Sequence, residues 1–371
     1  MNRGMYQLIK RWRVWAAVLL MVVNVLTVLP PHTMAAAAPG GTPPPLAGTG
    51  DVKRPAHTTT PPGILAKSFV LMDCQSGQVL LGTNIHQHRH QASTTKITTA
   101  ILALERGKTS DVVTISKHAD DTPESGIWLE QGEKLTLEQL MYALMLFSAN
   151  DAATAIAEHI GGSEPAFVQM MNAKAKAIGA RDSQYANPHG LDNPKHYSSA
   201  YDLALLARYG LTSVPGFAEL VRTKEREIPW AGHPYKRVLR NRNKLLTTYP
   251  GADGVKTGFT DEAGRCLVAS ATRQGMQLIA VVMDSPDMFG ETGKLLDWGF
   301  ANYVTKQVIL KQQAVGKVKV LKGRQAEVAA YPAQDVILPV PKLAAKLVGV
   351  KTELAAQVEA PVKAGQQLGT I

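Results

Sequence analysis

The stretch Gln91-Ala92-Ser93-Thr94-Thr95-Lys96 constrains this chain most, because it stands directly before an amphipathic helical pattern. Apolar residues follow it at the i, i+3, i+4 and i+7 spacing of a helix with one buried face: Ile97, Ala100, Ile101 and Leu104. Gly107 ends the pattern. We therefore expect Ser93 at the start of a helix, with the Lys96 amine returning to the same face as the Ser93 hydroxyl.

This pairing of Ser93 and Lys96 has two interpretations. An alcohol is a weak nucleophile until a base takes its proton, and a desolvated lysine can be that base at neutral pH. The same residues also fit an ordinary N-cap serine followed by a solvated lysine. The stretch alone favours the N-cap, so the rest of the chain has to decide.

Two further short motifs follow in order along the chain. Ser148-Ala149-Asn150 forms a polar junction between two apolar helical segments; a capping box of Thr136 and Gln139 predicts the start of the first, and Asp151 is expected to cap the second. Lys256-Thr257-Gly258 lies in a strand-like run at residues 254–259, before a predicted hairpin that turns at 273–275. A glycine after Lys-Thr lets a ligand backbone approach a strand edge, and the lysine offers its charge to a carboxylate. An S-x-x-K, S-x-N and K-T-G set on a helix start, a helix junction and a strand is typical of penicillin-binding proteins and class A β-lactamases.

Longer stretches extend the likeness. They are 92–96, 131–136 (Gln-Gly-Glu-Lys-Leu-Thr), 187–191 (Asn-Pro-His-Gly-Leu), 249–258 and 263–269. Together they resemble the low-molecular-mass penicillin-binding proteins, the D-alanyl-D-alanine carboxypeptidases of the peptidase S11 family. The resemblance is close over roughly residues 64–304 and looser beyond.

This resemblance implies an α/β fold in two parts. Residues 64–303 would form a catalytic domain of the penicillin-binding protein/β-lactamase type, with an antiparallel sheet and helices on both sides. Residues 304–371 would form a smaller all-β C-terminal domain, in which 317–320, 327–329 and 336–340 have the alternation of short strands.

The N-terminal residues predict export. Residues 1–38 combine a basic start (Arg3, Lys10, Arg11 and Arg13), an apolar run at 14–29 and small residues at 34–38, which is the pattern of a signal peptide. An uncleaved membrane anchor is the alternative. Residues 39–63 are rich in Pro, Gly and Thr and predict an extended linker. We expect an extracytoplasmic protein, secreted or at the outer face of the cytoplasmic membrane.

The activity that the resemblance implies is that of a serine-type D-Ala-D-Ala carboxypeptidase, a hydrolase of cell-wall biogenesis. It would remove the terminal D-alanine from the stem pentapeptides of peptidoglycan through an acyl-Ser93 intermediate, and penicillin and other β-lactams would inhibit it. Lys96 would be the base that activates Ser93. Ser148, supported by Asn150, would relay protons to the leaving amine and during deacylation.

The remaining site residues that the resemblance implies bind the substrate. Lys256 and Thr257 would hold the terminal carboxylate, with Arg242 as a weaker candidate for the same role. The backbone N–H groups of Ser93 and of Phe259, which follows Gly258, would form the oxyanion hole. The chain departs from the family at Gln91, where proline is frequent, and at Ala149, where glycine is frequent; neither change removes a reactive atom.

Two other functions share these motifs. A class A β-lactamase needs a deacylating glutamate between the second and third motifs, but no Glu occurs between Glu164 and Glu219. A non-catalytic penicillin-binding scaffold would have no need of a nucleophile and base such as Ser93 and Lys96.

Composition bears on partners and cofactors. The formal net charge is +10, a positive balance that suits association with anionic polymers or a membrane face. No basic run with interleaved aromatic residues is present, which argues against nucleic acid. The alternating His86, His88 and His90 could be metal ligands, but no fourth ligand lies nearby in the sequence, so we expect a solvated loop, no metal and no cofactor. In the family fold the strand at 276–283 would separate Cys74 from Cys266, which predicts two free thiols.

Overall fold

The structure, a computed structural model, describes residues 59–371. The predicted signal peptide at 1–38 and most of the predicted linker at 39–63 lie outside the described residues. The strands are β1 (Ser68–Asp73), β2 (Val79–Thr83), β3 (Val112–Thr114), β4 (Lys134–Thr136), β5 (Glu225–Ile228), β6 (Arg237–Arg240), β7 (Ala252–Thr260), β8 (Gly264–Arg273), β9 (Met276–Ser285), β10 (Tyr303–Ile309), β11 (Gly316–Leu321), β12 (Glu327–Ala330), β13 (Val336–Pro341), β14 (Glu353–Leu354), β15 (Gln357–Glu359) and β16 (Gly369–Thr370). The α-helices are α1 (Lys96–Arg106), α2 (Lys117–Asp120), α3 (Leu137–Tyr142), α4 (Asn150–Gly161), α5 (Glu164–Ile178), α6 (Ala200–Ser213), α7 (Phe217–Arg222), α8 (Leu245–Thr248) and α9 (Met288–Asn302).

A five-stranded antiparallel sheet, in the order β2-β1-β9-β8-β7, forms the centre of the fold. Both of its faces are covered, because alternate residues of β1 enter two different apolar clusters. Val70 and Met72 pack with the helices α1 and α3 to α7, whereas Phe69 and Leu71 pack with α9 on the opposite face. The α/β class with helices on both sides of an antiparallel sheet is therefore confirmed.

The predicted hairpin around residues 273–275 is confirmed as β8 and β9, and β9 pairs with β1 on its other side. One strand thus separates the β1 end from β8, and Cys74 and Cys266 are both buried and free. Burial raises the pKa of each thiol to about 12, so both behave as small apolar side chains.

Local capping signals fixed several helix starts correctly. Thr136 and Gln139 form the predicted capping box before α3, and Ser163 and Ser199 cap α5 and α6. The prediction that Asp151 caps α4 is wrong, because this helix begins at Asn150 with Ala149 as its N-cap residue. The buried Asp151 carboxylate instead accepts N–H groups of Ile127 and Leu129 in a distant loop.

The C-terminal residues form a separate, smaller all-β part. Helix α9 ends at Asn302, and β10 begins at the next residue and pairs with β13. Strands β11, β12 and β13 contain the three runs that the sequence predicts. Within residues 59–371, no helix has both the length and the apolar character that a membrane crossing requires.

Candidate active site

All of the predicted site residues converge on one cleft of about 430 Å³. Seven of them line it: Ser93, Ser148, Asn150, Arg242, Thr257, Gly258 and Phe259. The other two, Lys96 and Lys256, are 0% and 1% exposed. The cleft therefore lies where the start of α1, the start of α4 and strand β7 meet.

Ser93 lies in a 3₁₀ turn, Ala92–Thr95, that leads into α1. Ala92 has a φ of +48°, a conformation that a residue with a Cβ rarely adopts. The Thr95 hydroxyl donates to the Ala92 carbonyl at 2.8 Å, and the Thr94 hydroxyl donates to the Gln91 carbonyl at 2.6 Å. These bonds hold a strained turn at Ser93, the predicted nucleophile, and such strain is common at functional sites. We call Ala92–Thr95 the nucleophile turn.

The Lys96 amine has three polar neighbours. Its Nζ lies 2.7 Å from Asn150 Oδ1, 2.7 Å from the His189 carbonyl oxygen and 2.9 Å from Ser93 Oγ. The amide and peptide oxygens can only accept, so they take the two N–H groups of a neutral amine. Its lone pair is then left to accept the Ser93 proton.

The electrostatics of the site favour that neutral amine. Burial holds the pKa of Lys96 well below its ordinary value, and the positive charges of Lys256 and Arg242 lower it further. Burial, followed by the charge of Arg242, also lowers the pKa of Lys256 to about 7. Two buried lysines with lowered pKa values therefore share the site, as is typical of functional sites.

The junction that carries Ser148 and Asn150 has an unusual backbone. A π-helical turn, Ala143–Phe147, ends at Ser148, whose φ of +69° is left-handed. Helix α4 starts two residues later, and Asn150 Nδ2 donates to the Pro123 carbonyl at 2.9 Å. Because that bond fixes the amide orientation, Asn150 Oδ1 is directed at Lys96.

Strand β7 forms the opposite wall of the cleft. A Cβ added to Gly258 would lie 3.1 Å from the Ser93 nitrogen and 3.1 Å from the Gln91 carbonyl oxygen. Any larger residue would be crowded here, so glycine favours this close approach of the strand to the nucleophile turn. Lys256 Nζ donates to the Thr257 carbonyl at 3.0 Å, and Phe259 is exposed at the rim.

Comparison with known proteins accounts for this geometry. The profile of the D-alanyl-D-alanine carboxypeptidase family (peptidase S11) matches residues 55–287. The chain belongs to this carboxypeptidase family. A second profile, that of the penicillin-binding protein 5 C-terminal domain, matches residues 303–371. The predicted family is therefore confirmed.

Individual carboxypeptidases agree with the profiles. The chain is 39% identical to D-alanyl-D-alanine carboxypeptidase DacF of Bacillus subtilis over 82% of this chain and 80% of that protein. It is 36% identical to DacD of Salmonella typhimurium, over 84% and 82% respectively. The structure of penicillin-binding protein 5 from Haemophilus influenzae superposes with a TM-score of 0.77 at 34% identity, covering 84% of this chain and 93% of that one.

Sequence reasoning missed the part that the loop at 187–190 plays in this carboxypeptidase. His189 makes a local bond, since its Nδ1 accepts from the Leu191 N–H at 3.2 Å. Its carbonyl, however, also holds Lys96. Gly190 has a φ of +98°, and a Cβ there would lie 2.0 Å from the Ala92 carbonyl oxygen. The Asn-Pro-His-Gly turn was the only signal for this loop in the sequence.

Gln91, the departure from the family pattern, belongs to a buried network. His196 Nδ1 accepts from the Ala186 N–H at 3.0 Å, which places the imidazole proton on Nε2. That nitrogen lies 2.9 Å from the Gln91 side-chain amide and 2.7 Å from Thr95 Oγ1. Burial lowers the pKa of His196 to about 3, so a neutral imidazole supports the nucleophile turn.

The cleft also contains residues that no motif predicted: Glu124, Ser125, Gly190, Leu191, Lys244, Thr260, Arg265, Met288 and Phe289. Glu124 bears on the β-lactamase alternative, because it brings a carboxylate into the cleft from before the second motif. The absence of glutamate between Glu164 and Glu219 therefore did not exclude a cleft carboxylate. Family membership, not that absence, decides against the alternative.

His86 and His88, two of the three alternating histidines, have neighbouring side chains as partners. His86 Nδ1 pairs with Asp182 at 2.8 Å, and the His88 ring stacks on Tyr197. In the described part of the chain, no group of three or more His, Cys, Asp or Glu side chains could hold a metal ion.

Proposed function

We propose that this chain is a serine-type D-Ala-D-Ala carboxypeptidase that removes the terminal D-alanine from peptidoglycan stem pentapeptides and is acylated by β-lactams. The carrying observation is the position of Lys96, whose Nζ lies 2.9 Å from Ser93 Oγ and 2.7 Å from each of two oxygen acceptors. Relatives over most of the chain are named D-alanyl-D-alanine carboxypeptidases.

Acylation begins when Lys96 takes the Ser93 proton and Ser93 Oγ attacks the carbonyl carbon between the last two D-alanines. The backbone N–H groups of Ser93 and Phe259 stabilise the resulting oxyanion. The close approach of β7 to the nucleophile turn at Gly258 supports this assignment. The tetrahedral intermediate then collapses as the C–N bond breaks.

The leaving amine needs a proton, and Ser148 relays it from the Lys96 ammonium, with Asn150 holding that lysine in place. Water then attacks the acyl-Ser93 ester, with the same groups acting in the reverse direction. Lys256, Thr257 and the rim residue Arg242 bind the terminal carboxylate. Thr257 and Arg242 line the cleft with Ser93, and Lys256 directly precedes Thr257 on β7, which supports this role.

Intact-mass measurement after brief exposure of the purified protein to penicillin tests the proposal. We expect a stable adduct on the wild type and on Ser213→Ala, a serine change far from the cleft, and none on Ser93→Ala. D-Alanine release from an acyl-D-Ala-D-Ala peptide should follow the same pattern. Rapid drug turnover without an adduct would indicate a β-lactamase, and neither adduct nor turnover would indicate a scaffold.

The same proposal includes location and domain organisation. The basic, apolar and small-residue segments of 1–38 support export to the outer side of the cytoplasmic membrane. Of the net charge of +10, four positive charges lie in that segment, and the remaining positive balance supports contact with the anionic membrane surface. N-terminal sequencing of exported protein and co-sedimentation with anionic vesicles test these two points. Limited proteolysis near residue 303 tests the division into catalytic and C-terminal domains.

A further inference from the structure

An exposed aromatic cluster lies on the loop and hairpin beside the cleft. We call it the aromatic platform and define it as Trp128, Phe147, Trp230 and Tyr235. Trp128 is 67% exposed and Tyr235 is 57% exposed, which is unusual for such large side chains. Neither the motifs nor the mechanism above uses these rings.

The rings contact one another as one cluster, and Arg237 and His233 also lie against the Trp230 ring. The Trp128 and Trp230 planes differ by only 14°, with centroids 6.2 Å apart. Phe147 extends the surface at 6.3 Å from Trp128, and Tyr235 borders Trp230 at 5.6 Å. Such an arrangement offers two nearly parallel indoles and further rings to a flat, partly apolar ligand.

The platform continues into the cleft. Phe147 immediately precedes Ser148 in the chain, and the Arg242 guanidinium lies 4.7 Å from the Phe147 ring centroid. Arg242 and Ser148 both line the cleft. A ligand whose end occupies the cleft can therefore extend directly over Phe147 toward the two tryptophans.

A buried arginine holds the platform in place. The Arg237 guanidinium donates to the Trp128 carbonyl at 2.9 Å and to the Pro229 carbonyl, just before Trp230, at 3.1 Å. It also lies 4.9 Å from the Trp230 ring centroid and pairs with buried Glu133. Trp128 has a φ of +57°, a costly conformation for a bulky residue. Arg237 thus holds the backbone that carries Trp128 and Trp230.

We propose that the aromatic platform binds the amino-sugar strand to which the stem peptide is attached. This inference rests on the proposed function, because that function makes the substrate part of a glycan polymer. The apolar C–H faces of pyranose rings stack on aromatic faces, while hydroxyl and N-acetyl groups reach polar side chains at the edge, here His233 and Arg242. A few exposed rings cover far less than the roughly 800 Å² per partner of a stable protein interface, so a protein partner fits less well.

Calorimetric titration with a soluble β-1,4-linked hexamer of N-acetylglucosamine tests the platform. We expect the wild type to bind it, Trp230→Ala to bind at least tenfold more weakly, and Trp230→Phe to recover part of the loss. Tyr331→Ala is the matched control, since Tyr331 is also 57% exposed but lies in the C-terminal part. Equal binding by the wild type and Trp230→Ala, or no binding by the wild type, would overturn the proposal.

A second measurement on the same samples separates this inference from the proposed function. Penicillin acylation of Ser93 reports whether each variant is folded and whether the cleft is active. If Trp230→Ala is acylated and binds the sugar as tightly as the wild type, the carboxypeptidase proposal holds and the platform proposal is wrong. If the wild type is not acylated, the proposed function itself is contradicted. With both intact, Trp230→Ala should lose more D-alanine release from intact peptidoglycan than from a short peptide.

Discussion

The Lys96 amine lies 2.7 Å from the backbone carbonyl oxygen of His189, a residue 93 positions later in the chain. Asn150 Oδ1 accepts one N–H of a neutral Lys96 amine, and the His189 carbonyl accepts the second. Chemical identity at position 96 therefore matters in two ways, as a base and as the donor that holds the loop at 187–190.

Replacement of Lys96 separates basicity from charge. We expect Lys96→Arg and Lys96→Met both to slow penicillin acylation by about 10²–10⁴-fold, because a guanidinium stays protonated and a thioether cannot take a proton. Stopped-flow acylation kinetics measure the effect. A Lys96→Arg variant that acylates at the wild-type rate would contradict the assignment of Lys96 as the base.

The rate should also depend on pH through two lysines. Lys96 must be neutral to accept the Ser93 proton, whereas Lys256, with a pKa of about 7, must be protonated to bind the substrate carboxylate. As pH rises through about 7, Lys256 loses its proton, so kcat/KM for the peptide should fall on the alkaline side. Lys256→Arg should be slower but should move that alkaline limb upward, because its cation persists. If the alkaline limb of Lys256→Arg lies at the same pH as that of the wild type, a group other than Lys256 causes it.

Two buried imidazoles should make the fold sensitive to acid. Burial, followed by the Lys96 charge, lowers the pKa of His189 to about 3, and burial does the same for His196. The unfolded chain therefore binds more protons than the native state between about pH 6.5 and 3. Stability is fully present above that range and falls by about 1.4 kcal/mol per pH unit and imidazole as pH decreases. Urea unfolding from pH 7 to 4 should give a shallower slope for His196→Gln than for the surface change His233→Gln.

Two glycines with nearly the same backbone angle make a matched test of close packing. Gly179 has a φ of +96° with nothing within 4 Å of an added Cβ, whereas at Gly190, with a φ of +98°, an added Cβ would lie 2.0 Å from the Ala92 carbonyl oxygen. We expect Gly179→Ala to cost about 1–2 kcal/mol of unfolding free energy through strain alone. Gly190→Ala should cost more and should also slow acylation, since it displaces the turn before Ser93. Equal losses of stability with unchanged acylation would argue against that coupling.

The Arg237–Glu133 pair should show the energetics of a buried ion pair. The two side chains are 3% and 2% exposed and form two bonds, at 2.5 and 2.9 Å. Glu133→Gln should destabilise the fold by about 3–5 kcal/mol, because the guanidinium is left buried without its counter-charge. Adding Arg237→Met should restore part of that loss but should weaken sugar binding at the platform. Chemical unfolding of the wild type, Glu133→Gln, Arg237→Met and the double variant measures this double-mutant cycle.

The sequence predicted what is local in this molecule. The helical period after Lys96, the capping box at Thr136 and the hairpin turn before Gly275 each fix an element through neighbouring residues. The three motifs also marked side chains that meet at one cleft, because each motif carries a distinctive residue pattern. Asp151 misled the prediction because it lies inside the helix and one of its carboxylate oxygens binds a distant loop.

What could not be predicted depends on contacts between remote segments. No pattern indicates that the His189 carbonyl meets Lys96, that Glu133 pairs with Arg237, or that Glu124 enters the cleft. Backbone acceptors carry no residue signature, and a buried ion pair looks like two surface charges until the fold brings the partners together.

The position of β9 in the sheet has a consequence for how the enzyme is made. Strand β1 pairs with nearby β2 on one edge, but its other edge pairs with Leu278–Met283, about two hundred residues later. During synthesis that edge remains open until most of the chain has been made, and open edges invite pairing with other chains. The catalytic cleft, which β7 borders in the same sheet, is therefore completed only late in synthesis. Chains truncated before β9 should accumulate as aggregates instead of as partly active enzyme.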